Sequence, residues 1–314
     1  MRRLAWLTAL LLGTLSARAQ YDAAFTNYWA LQNYFNPASS GLAGQLNIQG
    51  AYSAQLTGFE NAPSTMLATA DLPLFFINPR HGAGVGFMND NIGLFSNKKL
   101  YVQYAYHHPL GRKGQLSAGL RVGFLNETFD GSKLDVADTG DPAFANSQVN
   151  GMALDLDFGL RYSMGRTWYA GFSSMHLTAP TILLGDDKTH QTSVSRLYYL
   201  TGGYKLQFRN PAYALHTSGI LRTDFMAWRG DVTARLSYEG PRLHLYGGLS
   251  YSPTVSVAVL LGTVFHGIKI GYSYEMYTTG VGALNGSHEL VLGYEMTLNL
   301  GGKGKNRHQS LRIL

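Results

Sequence analysis

Two pairs of polar side chains have the residue types of a metal site or a catalytic site. His107 and His108 are adjacent, but neighbouring residues of a strand point to opposite faces, so they cannot chelate one ion together. His216 and Ser218 are spaced to share one strand face, as a general base and a nucleophile would. The sequence has no identifiable third member and no oxyanion signal for them, so we expect polar structural roles for all four residues.

Two glycine-rich stretches and a set of aspartates could be mistaken for ligand-binding loops. Gly-Val-Gly at 84–86 lacks the third glycine and the following helix of a dinucleotide fingerprint, which favours a closely packed strand. Gly-Gly-Lys-Gly-Lys at 301–305 lacks the spacer and the Ser or Thr of a phosphate loop, which favours a solvated basic tail. Aspartates in two predicted loops could bind Ca²⁺ weakly, but their spacing is irregular: Asp130, Asp135, Asp138, Asp141, Asp186 and Asp187. We therefore predict a protein that is not an enzyme, with no catalytic, cofactor or metal site.

The composition is unusual for a soluble enzyme. Charged residues make up 14% of the chain, against roughly 25% in ordinary soluble domains. The 37 glycines and 20 tyrosines suit a barrel with tight turns and aromatic membrane interfaces. No cysteine is present, which excludes disulfides, thiolate metal sites and a catalytic thiol. The formal charge of the chain is +6, but seven cations lie in residues 1–19 and 301–314. Without these seven the rest of the chain has a charge of −1, so no nucleic-acid partner is indicated.

Residues 1–19 have the three parts of a secretory signal peptide. Two arginines precede an apolar run from Leu4 to Leu15, and Ala-Arg-Ala at 17–19 has the small-x-small cleavage pattern. The run is far shorter than the roughly 20 residues of a spanning helix. We therefore expect cleavage before Gln20 rather than an N-terminal membrane anchor, and we find no later stretch that could form a transmembrane helix.

From residue 45 onward, apolar and polar residues alternate over short segments that turn residues separate. Between Leu116 and Phe124, five apolar residues alternate with Ser, Gly and Arg. A period of two puts the two sets on opposite faces of a sheet, and an apolar face behind a Gly-rich polar face is typical of an outer-membrane barrel. Leu120 should then face lipid and Gly119 the lumen, so that Arg at position 120 should impair assembly far more than Ser at position 119.

The alternation predicts an all-β transmembrane barrel over residues 45–300, with about 14 antiparallel strands and both termini on one side. The predicted strands are roughly 45–55, 65–74, 82–90, 98–109, 115–126, 153–163, 167–177, 196–208, 213–223, 229–239, 242–251, 255–264, 267–276 and 288–299. Long connections, which should be extracellular, largely alternate with short periplasmic ones. Residues 20–44 do not alternate and should form a periplasmic or lumenal segment, and residues 301–314 form a basic C-terminal tail.

Charged residues of both signs fall on the predicted inward faces of these strands. They are Arg121, Asp155, Asp157, Arg161, Asp231, Arg235, Glu239, Lys269, Glu275, Glu289 and Glu295. In a lumen they could pair with one another and close the barrel, because buried charges must be paired. Alternatively, they could line a wet pore and set its solute preference. The sequence leaves both possibilities open.

Five motifs occur in order between residues 25 and 295 and resemble landmarks of the PorP/SprF family. They are Asn-Pro-Ala-Ser-Ser-Gly at 36–41, Gly-Phe-Glu-Asn-Ala-Pro-Ser-Thr at 58–65, Gly-Val-Gly-Phe-Met-Asn-Asp-Asn-Ile-Gly at 84–93, Tyr-Ala-Tyr-His-His-Pro-Leu at 104–110 and Gly-Ser-His-Glu-Leu at 286–290. Ser39-Ser40 stands where the family more usually has Tyr-Ala, and the basic tail after Leu300 looks private to this protein.

The resemblance implies a fourteen-stranded, multi-pass outer-membrane barrel of a Gram-negative, Bacteroidetes-type bacterium. It also implies an accessory role in type IX secretion and gliding motility, in which the barrel assists export and surface attachment of an adhesin or other cargo. The implied partners are periplasmic and outer-membrane secretion components, a peptidoglycan-binding protein, the cargo and membrane lipid. The conducting pore of that system is thought to be a different, larger barrel.

The residues leave a second function open: an outer-membrane solute channel or a fatty-acid-type transporter of hydrophobic compounds. That transporter class also has fourteen strands, but it would have a longer N-terminal hatch than residues 20–44 supply. In the secretion role, we expect the outer connections 127–152 and 178–195 to hold the exported partner. They are acidic and carry apolar side chains, Phe129, Phe144, Leu183 and Leu184. Residues 20–44 and the basic tail would then face the periplasmic machinery.

Overall fold

A computed structural model describes residues 23–131, 148–185, 190–240, 243–279 and 285–297. The predicted signal peptide and the basic tail lie outside these residues. The strands, in chain order, are β1 (Leu46–Ala54), β2 (Ser64–Pro73), β3 (His81–Ile92), β4 (Phe95–Leu110), β5 (Gly114–Asp130), β6 (Gln148–Met164), β7 (Trp168–Met175), β8 (Thr181–Leu184), β9 (His190–Ser193), β10 (Leu197–Gln207), β11 (Tyr213–Thr223), β12 (Trp228–Glu239), β13 (His244–Ser252), β14 (Ser256–Phe265), β15 (Ile268–Tyr277) and β16 (Ser287–Met296).

Fourteen of these strands form a closed antiparallel barrel, as the alternating pattern predicts. Each strand pairs with its neighbour in the chain, β1 closes the barrel on β16, and β7 pairs with β10 because β8 and β9 form a separate hairpin. The start of β1 and the end of β16 lie at the same end, which we call the turn end because its connections are short. The opposite end is the loop end. No helix in the described part of the chain is long and apolar enough to cross a membrane.

The two faces of the wall follow the predicted period of two. On β5, the Leu120 side chain is 58% exposed, whereas that of the next residue, Arg121, is 1% exposed. Exposed aromatic rings flank the apolar outer surface at both ends, as interfacial girdles do. At the turn end they include Tyr104, Tyr106, Trp168, Tyr204, Tyr213, Tyr238, Phe265 and Tyr294, and at the loop end Tyr52, Phe95, Phe225, Trp228 and Tyr251.

The largest difference from the predicted strands is at the loop end. β5 and β6 have 17 residues each, and they include residues 127–130 and 148–152, which the sequence assigns to an outer loop. The hairpin of β8 and β9, inside the predicted connection 178–195, was not predicted either. Its strands have four residues each, which is too few for a clear alternating pattern. The hairpin packs on the lumen-facing side of the extended β5 and β6 ends, so its strands depend on tertiary contacts.

Candidate functional site in the barrel lumen

Residues 23–44, which we call the plug, lie inside the barrel and run from the loop end towards the turn end. Near the loop end, the backbone N–H groups of Thr26 and Asn27 donate to the two carboxylate oxygens of Glu289, at 2.7 and 2.8 Å. Near the turn end, the N–H of Gly41 donates to the Asp71 carboxylate at 2.7 Å. The plug therefore has carboxylate partners in the wall at both of its ends.

The Asn-Pro-Ala motif forms the middle of the plug. A single-turn helix, α1 (Gln32–Phe35), ends at Asn36, whose side chain accepts a hydrogen bond from the Ala38 N–H at 2.9 Å and begins a 3-10 turn. The Asn36 side chain also donates to the carbonyl oxygens of Leu160 and Phe172 in the wall, at 2.9 and 3.2 Å. One asparagine thus orders the turn and binds it to two strands.

Three wall glycines face this turn: Gly119 on β5, Gly159 on β6 and Gly171 on β7. They lie so close to it that a Cβ atom on any of them would contact residues 36–38. Their lack of side chains produces a flat surface that admits the plug backbone. Close backbone approach is a common reason for glycine inside a strand. From the sequence, the glycine-rich inward face was predicted to line a polar lumen. In the structure, these three glycines form a contact surface for the plug.

An apolar cluster occupies the loop-end half of the lumen. The plug contributes Ala23, Phe25, Tyr28, Leu31, Tyr34 and Phe35, and the wall contributes Ala51, Leu67, Met88, Tyr101, Met175, Leu197, Tyr199, Ile220 and Val291. The rings are in van der Waals contact; that of Phe35, for example, lies edge-on to Tyr199 with 5.6 Å between centroids. At the level of this cluster, packed side chains occupy the lumen, which favours the closed-lumen possibility there.

A buried ionic network joins β4, β5 and β6 beside this cluster. The Lys99 ammonium lies 2.7 Å from Asp155 and 2.9 Å from Asp157, and Arg121 lies 3.1 Å from Asp157. Arg121 also donates to the carbonyl oxygens of plug residues 33 and 34, at 2.6 and 2.7 Å. The network neutralises its own charges and binds the plug to the wall.

One cluster among the described residues has the geometry of metal ligands. Ligand atoms of Asp155, Asp157 and His176 lie within 4.8 Å of one another, and His176 Nδ1 is 2.9 Å from Asp155. The Lys99 ammonium already lies against both carboxylates. Because Lys99 and Arg121 together neutralise the two carboxylates, we assign Asp155 and Asp157 to the ionic network.

A second ionic network lies at the loop end of β11, β12 and β15. Arg222 pairs with Asp231, and Arg229 lies 3.0 Å from Glu275 and 3.4 Å from Asp231. The Ser256 hydroxyl donates to Glu275. As in the first network, every charge in this group has a partner of opposite sign.

The turn-end half of the lumen contains a cavity of about 400 Å³, which we call the vestibule. It lies between the plug and strands β6, β7, β10, β11 and β12, and it reaches the turn at residues 165–167. Its charged lining residues are Arg161, Arg166, Lys205 and Arg235, with no carboxylate among the lining residues that the structure describes. Two adjoining cavities of about 240 and 310 Å³ continue along the plug.

Plug side chains form one wall of the vestibule. Arg161 donates to the Gln32 amide oxygen at 2.7 Å, and its guanidinium lies 3.9 Å from the Tyr169 ring centroid. The Arg235 guanidinium lies 3.3 Å from the centroid of the Trp29 ring. Arg161 and Arg235 are therefore both held by neutral groups.

The β8–β9 hairpin packs at the loop end against β5 and β6. Ile182, Leu184 and Val194 are buried against the protruding ends of β5 and β6, and the Thr192 hydroxyl donates to Glu127 at 2.8 Å. The expectation that both hairpin leucines are available to a partner is wrong for Leu184, which is 5% exposed because it belongs to this small core.

Other expected contact residues of the outer connections have different positions. Leu183 is 42% exposed on the hairpin, and Phe129 is half-buried with its ring 5.0 Å from that of Phe95. Phe144 and the loop aspartates other than Asp130 lie outside the residues that the structure describes.

The two polar pairs identified in the sequence have separate structural partners. His107 is buried and bonds to the Ser117 hydroxyl and the Ser40 carbonyl oxygen at 2.8 and 2.9 Å, whereas His108 is exposed on the other face. His216 bonds to Ser237 at 3.1 Å. Ser218 bonds instead to the Tyr28 hydroxyl of the plug at 3.2 Å. Residues 84–86 lie in β3, as expected of a closely packed strand.

Three charged members of the ionic networks are absent from the set of inward charges predicted from the sequence: Lys99, Arg222 and Arg229. Each lies an even number of residues from an inward-facing neighbour on its strand, Gln103, Ser218 and Asp231 respectively. The period-of-two pattern therefore contains the signal that would have identified all three.

Solved structures with a similar fold are outer-membrane barrels. The CymD monoaromatic hydrocarbon channel is 13% identical over 88% of this chain and 95% of that chain, with a TM-score of 0.50. The Ralstonia pickettii toluene transporter TbuX is 12% identical over 84% and 92%, with a TM-score of 0.49. A Pseudomonas aeruginosa FadL homologue is 10% identical over 80% and 89%, with a TM-score of 0.46. At these identities the likeness concerns the fold alone.

The family comparison covers almost the whole chain. No curated protein sequence matches this chain. The profile of the family described as "Type IX secretion system membrane protein PorP/SprF" matches residues 17–294, a range that contains the plug, every barrel strand except the last residues of β16, and the hairpin. The chain therefore belongs to the PorP/SprF family.

Proposed function

We propose that this protein retains adhesin-like cargo at the cell surface as a non-enzymatic component of the type IX secretion and gliding system. Family membership makes it a type IX secretion component, and its fold and family place it in the Gram-negative outer membrane, in contact with lipid. The observation that carries the finer proposal is the filled loop-end half of the lumen. A barrel filled in this way acts through its exposed ends rather than through a pore.

The hairpin of β8 and β9 is the best candidate for the cargo-binding surface. Its inner side is anchored by buried Ile182 and Leu184 and by the Thr192 bond to Glu127, while Leu183 stays exposed. Binding to an element that is already ordered avoids the entropy cost of ordering a loop. With the termini at the periplasmic side, as in other outer-membrane barrels, the hairpin would face outwards and the turn end would face the secretion machinery.

The change Leu183→Asp tests this surface. The side chain is 42% exposed, so the barrel should assemble normally, while loss of an apolar contact should reduce surface-displayed adhesin several-fold. Phe59→Asp, at a 47% exposed position in a different loop-end connection, is the matched control. Display is measured with antibody on intact cells, and assembly by heat-modifiable gel migration. A second variant replaces residues 181–193 with a Gly-Ser turn; unchanged display in both variants would contradict hairpin docking.

The alternative function, a solute channel or a transporter of hydrophobic compounds, is supported by the fold that the chain shares with the CymD hydrocarbon channel. A conducting path would have to pass the apolar cluster and both ionic networks. We expect the purified barrel to show no stable conductance steps in planar lipid bilayers. Reproducible steps, or uptake of a hydrocarbon that depends on this protein, would favour the alternative.

A further inference from the structure

We propose that the vestibule is a binding site for a small organic anion, carrying a phosphate or carboxylate group, that enters from the turn end. The inference rests on the charges, the lining and the size of this cavity. It does not depend on the cargo role, because it concerns the opposite end of the barrel.

The first observation is an excess of positive charge. Neither Arg161 nor Arg235 has a carboxylate partner among the described residues, whereas Lys205 is neutralised by Glu239 at 3.0 Å. A guanidinium in a partly buried site without a counter-charge is unfavourable. Contacts with the Tyr169 and Trp29 rings offset only part of that cost. The missing negative charge is the one a ligand would bring.

The second observation is that this barrel pairs its arginines elsewhere. Arg121 is paired with Asp157, and Arg222 with Asp231. The register places Ser117 and Gly171 beside Arg161 on the adjacent strands, and His216 and Gly248 beside Arg235. The wall therefore supplies carboxylates to arginines of the loop-end half and only neutral residues to those of the vestibule.

The third observation is the fit of the lining to an oxyanion with an organic body. Guanidinium groups bind phosphate and carboxylate through bidentate hydrogen bonds. Gln32, His216 and Thr217 add neutral polar groups to the lining. Rings of Trp29 and Tyr169 supply apolar contact. The volume of about 400 Å³ lies in the range of roughly 300–1,000 Å³ that small-molecule sites occupy.

The position of the site gives binding a structural consequence. Trp29 and Gln32 belong to the plug, whereas Arg161 and Arg235 belong to β6 and β12. An anion between them would join plug and wall, and any ligand that binds only the folded state raises its stability. The chain's own basic tail is an unsuitable occupant, because its four cations would be repelled.

Isothermal titration of the full-length protein in detergent micelles, with inorganic phosphate and with succinate, tests the site. We expect saturable binding of at least one probe, with a melting temperature that rises with probe concentration. Arg161→Gln and Arg235→Gln should each weaken binding at least tenfold. Arg209→Gln, which removes the same charge from an exposed turn-end residue, should leave it unchanged. The stronger probe identifies the anionic group.

The proposal is overturned if neither probe binds saturably, or if both Gln variants bind as the wild type does. Binding only of an acidic peptide, tested in parallel, would also overturn it and indicate a protein partner at the turn end. If a Gln variant does not assemble, the corresponding Lys variant, Arg161→Lys or Arg235→Lys, replaces it, because lysine keeps the positive charge but lacks the planar guanidinium group. A several-fold weaker affinity is expected for the Lys variants, and unchanged affinity contradicts the assignment.

Discussion

The two halves of the lumen balance charge in opposite ways. In the loop-end half, Arg121 is beside Asp157 in the strand register and Arg222 pairs with Asp231. In the turn-end half, Arg161 and Arg235 are in contact with amide and aromatic groups. Residues of the same type on the same inward face therefore have different roles, and the difference lies in the residues that the adjacent strands place next to them.

This difference separates structure from candidate function within one lumen. The loop-end half has matched charges and an apolar cluster of plug and wall residues. The vestibule has unmatched cations and empty volume. Burial of matched charges mainly specifies how plug and wall fit together, whereas unmatched charges around a cavity are typical of ligand sites.

Asp157→Asn should have the largest effect on stability. The change leaves Lys99 and Arg121 short of negative charge at a buried site, and such losses cost about 3–5 kcal/mol. Glu239→Gln is the matched turn-end control, since its pair with Lys205 is partly exposed and such pairs contribute about 0–1 kcal/mol. Urea titration of the purified barrels, followed by tryptophan fluorescence, gives both free energies of unfolding. Equal losses would contradict the distinction between the two halves.

Two neighbours on β5 test the wall that encloses both halves. Leu120→Arg places a charge against lipid and should cost about 2–4 kcal/mol. Gly119→Ala adds a methyl group where plug residues 37 and 38 lie, and overpacking of this kind costs about 1–3 kcal/mol. In Gly202→Ala, the control, the methyl would lie 3.6 Å from the nearest atom, the Tyr169 carbonyl oxygen. The yield of folded barrel is measured for all three variants and should be lowest for Leu120→Arg and highest for Gly202→Ala. Equal yields for the two alanine variants would mean that Gly119 does not contact the plug.

The sequence predicts only that Leu120→Arg is far worse for assembly than Gly119→Ser; the contact between Gly119 and the plug adds a cost for any side chain at position 119. The period of two places Gly119 on the inward face correctly, but it contains no information about what fills the lumen. The same limit applies to the plug itself, because residues 23–44 have no period and are ordered by partners such as Glu289 and Asp71, far away in the sequence. Local alternation predicts the strands of the wall. The plug, the short hairpin and the vestibule depend on long-range contacts and were beyond that pattern.

The smallest effect is expected for Arg235→Gln, measured in buffer free of phosphate and organic acids. The change removes a cation–π contact with Trp29 of about 0.5–2 kcal/mol, but it also removes the cost of holding an unpaired charge in the lumen. These contributions oppose each other, so the free energy of unfolding should change by less than about 1 kcal/mol. Arg121→Gln, by contrast, removes a paired charge together with its bonds to two plug carbonyls and should cost about 3 kcal/mol or more. If both variants lose the same stability, Arg235 is a structural residue like Arg121, and the turn-end half serves to join plug and wall as the loop-end half does. If they differ, adding the anion that binds should stabilise the wild type more than Arg235→Gln, because only the wild type retains the full site.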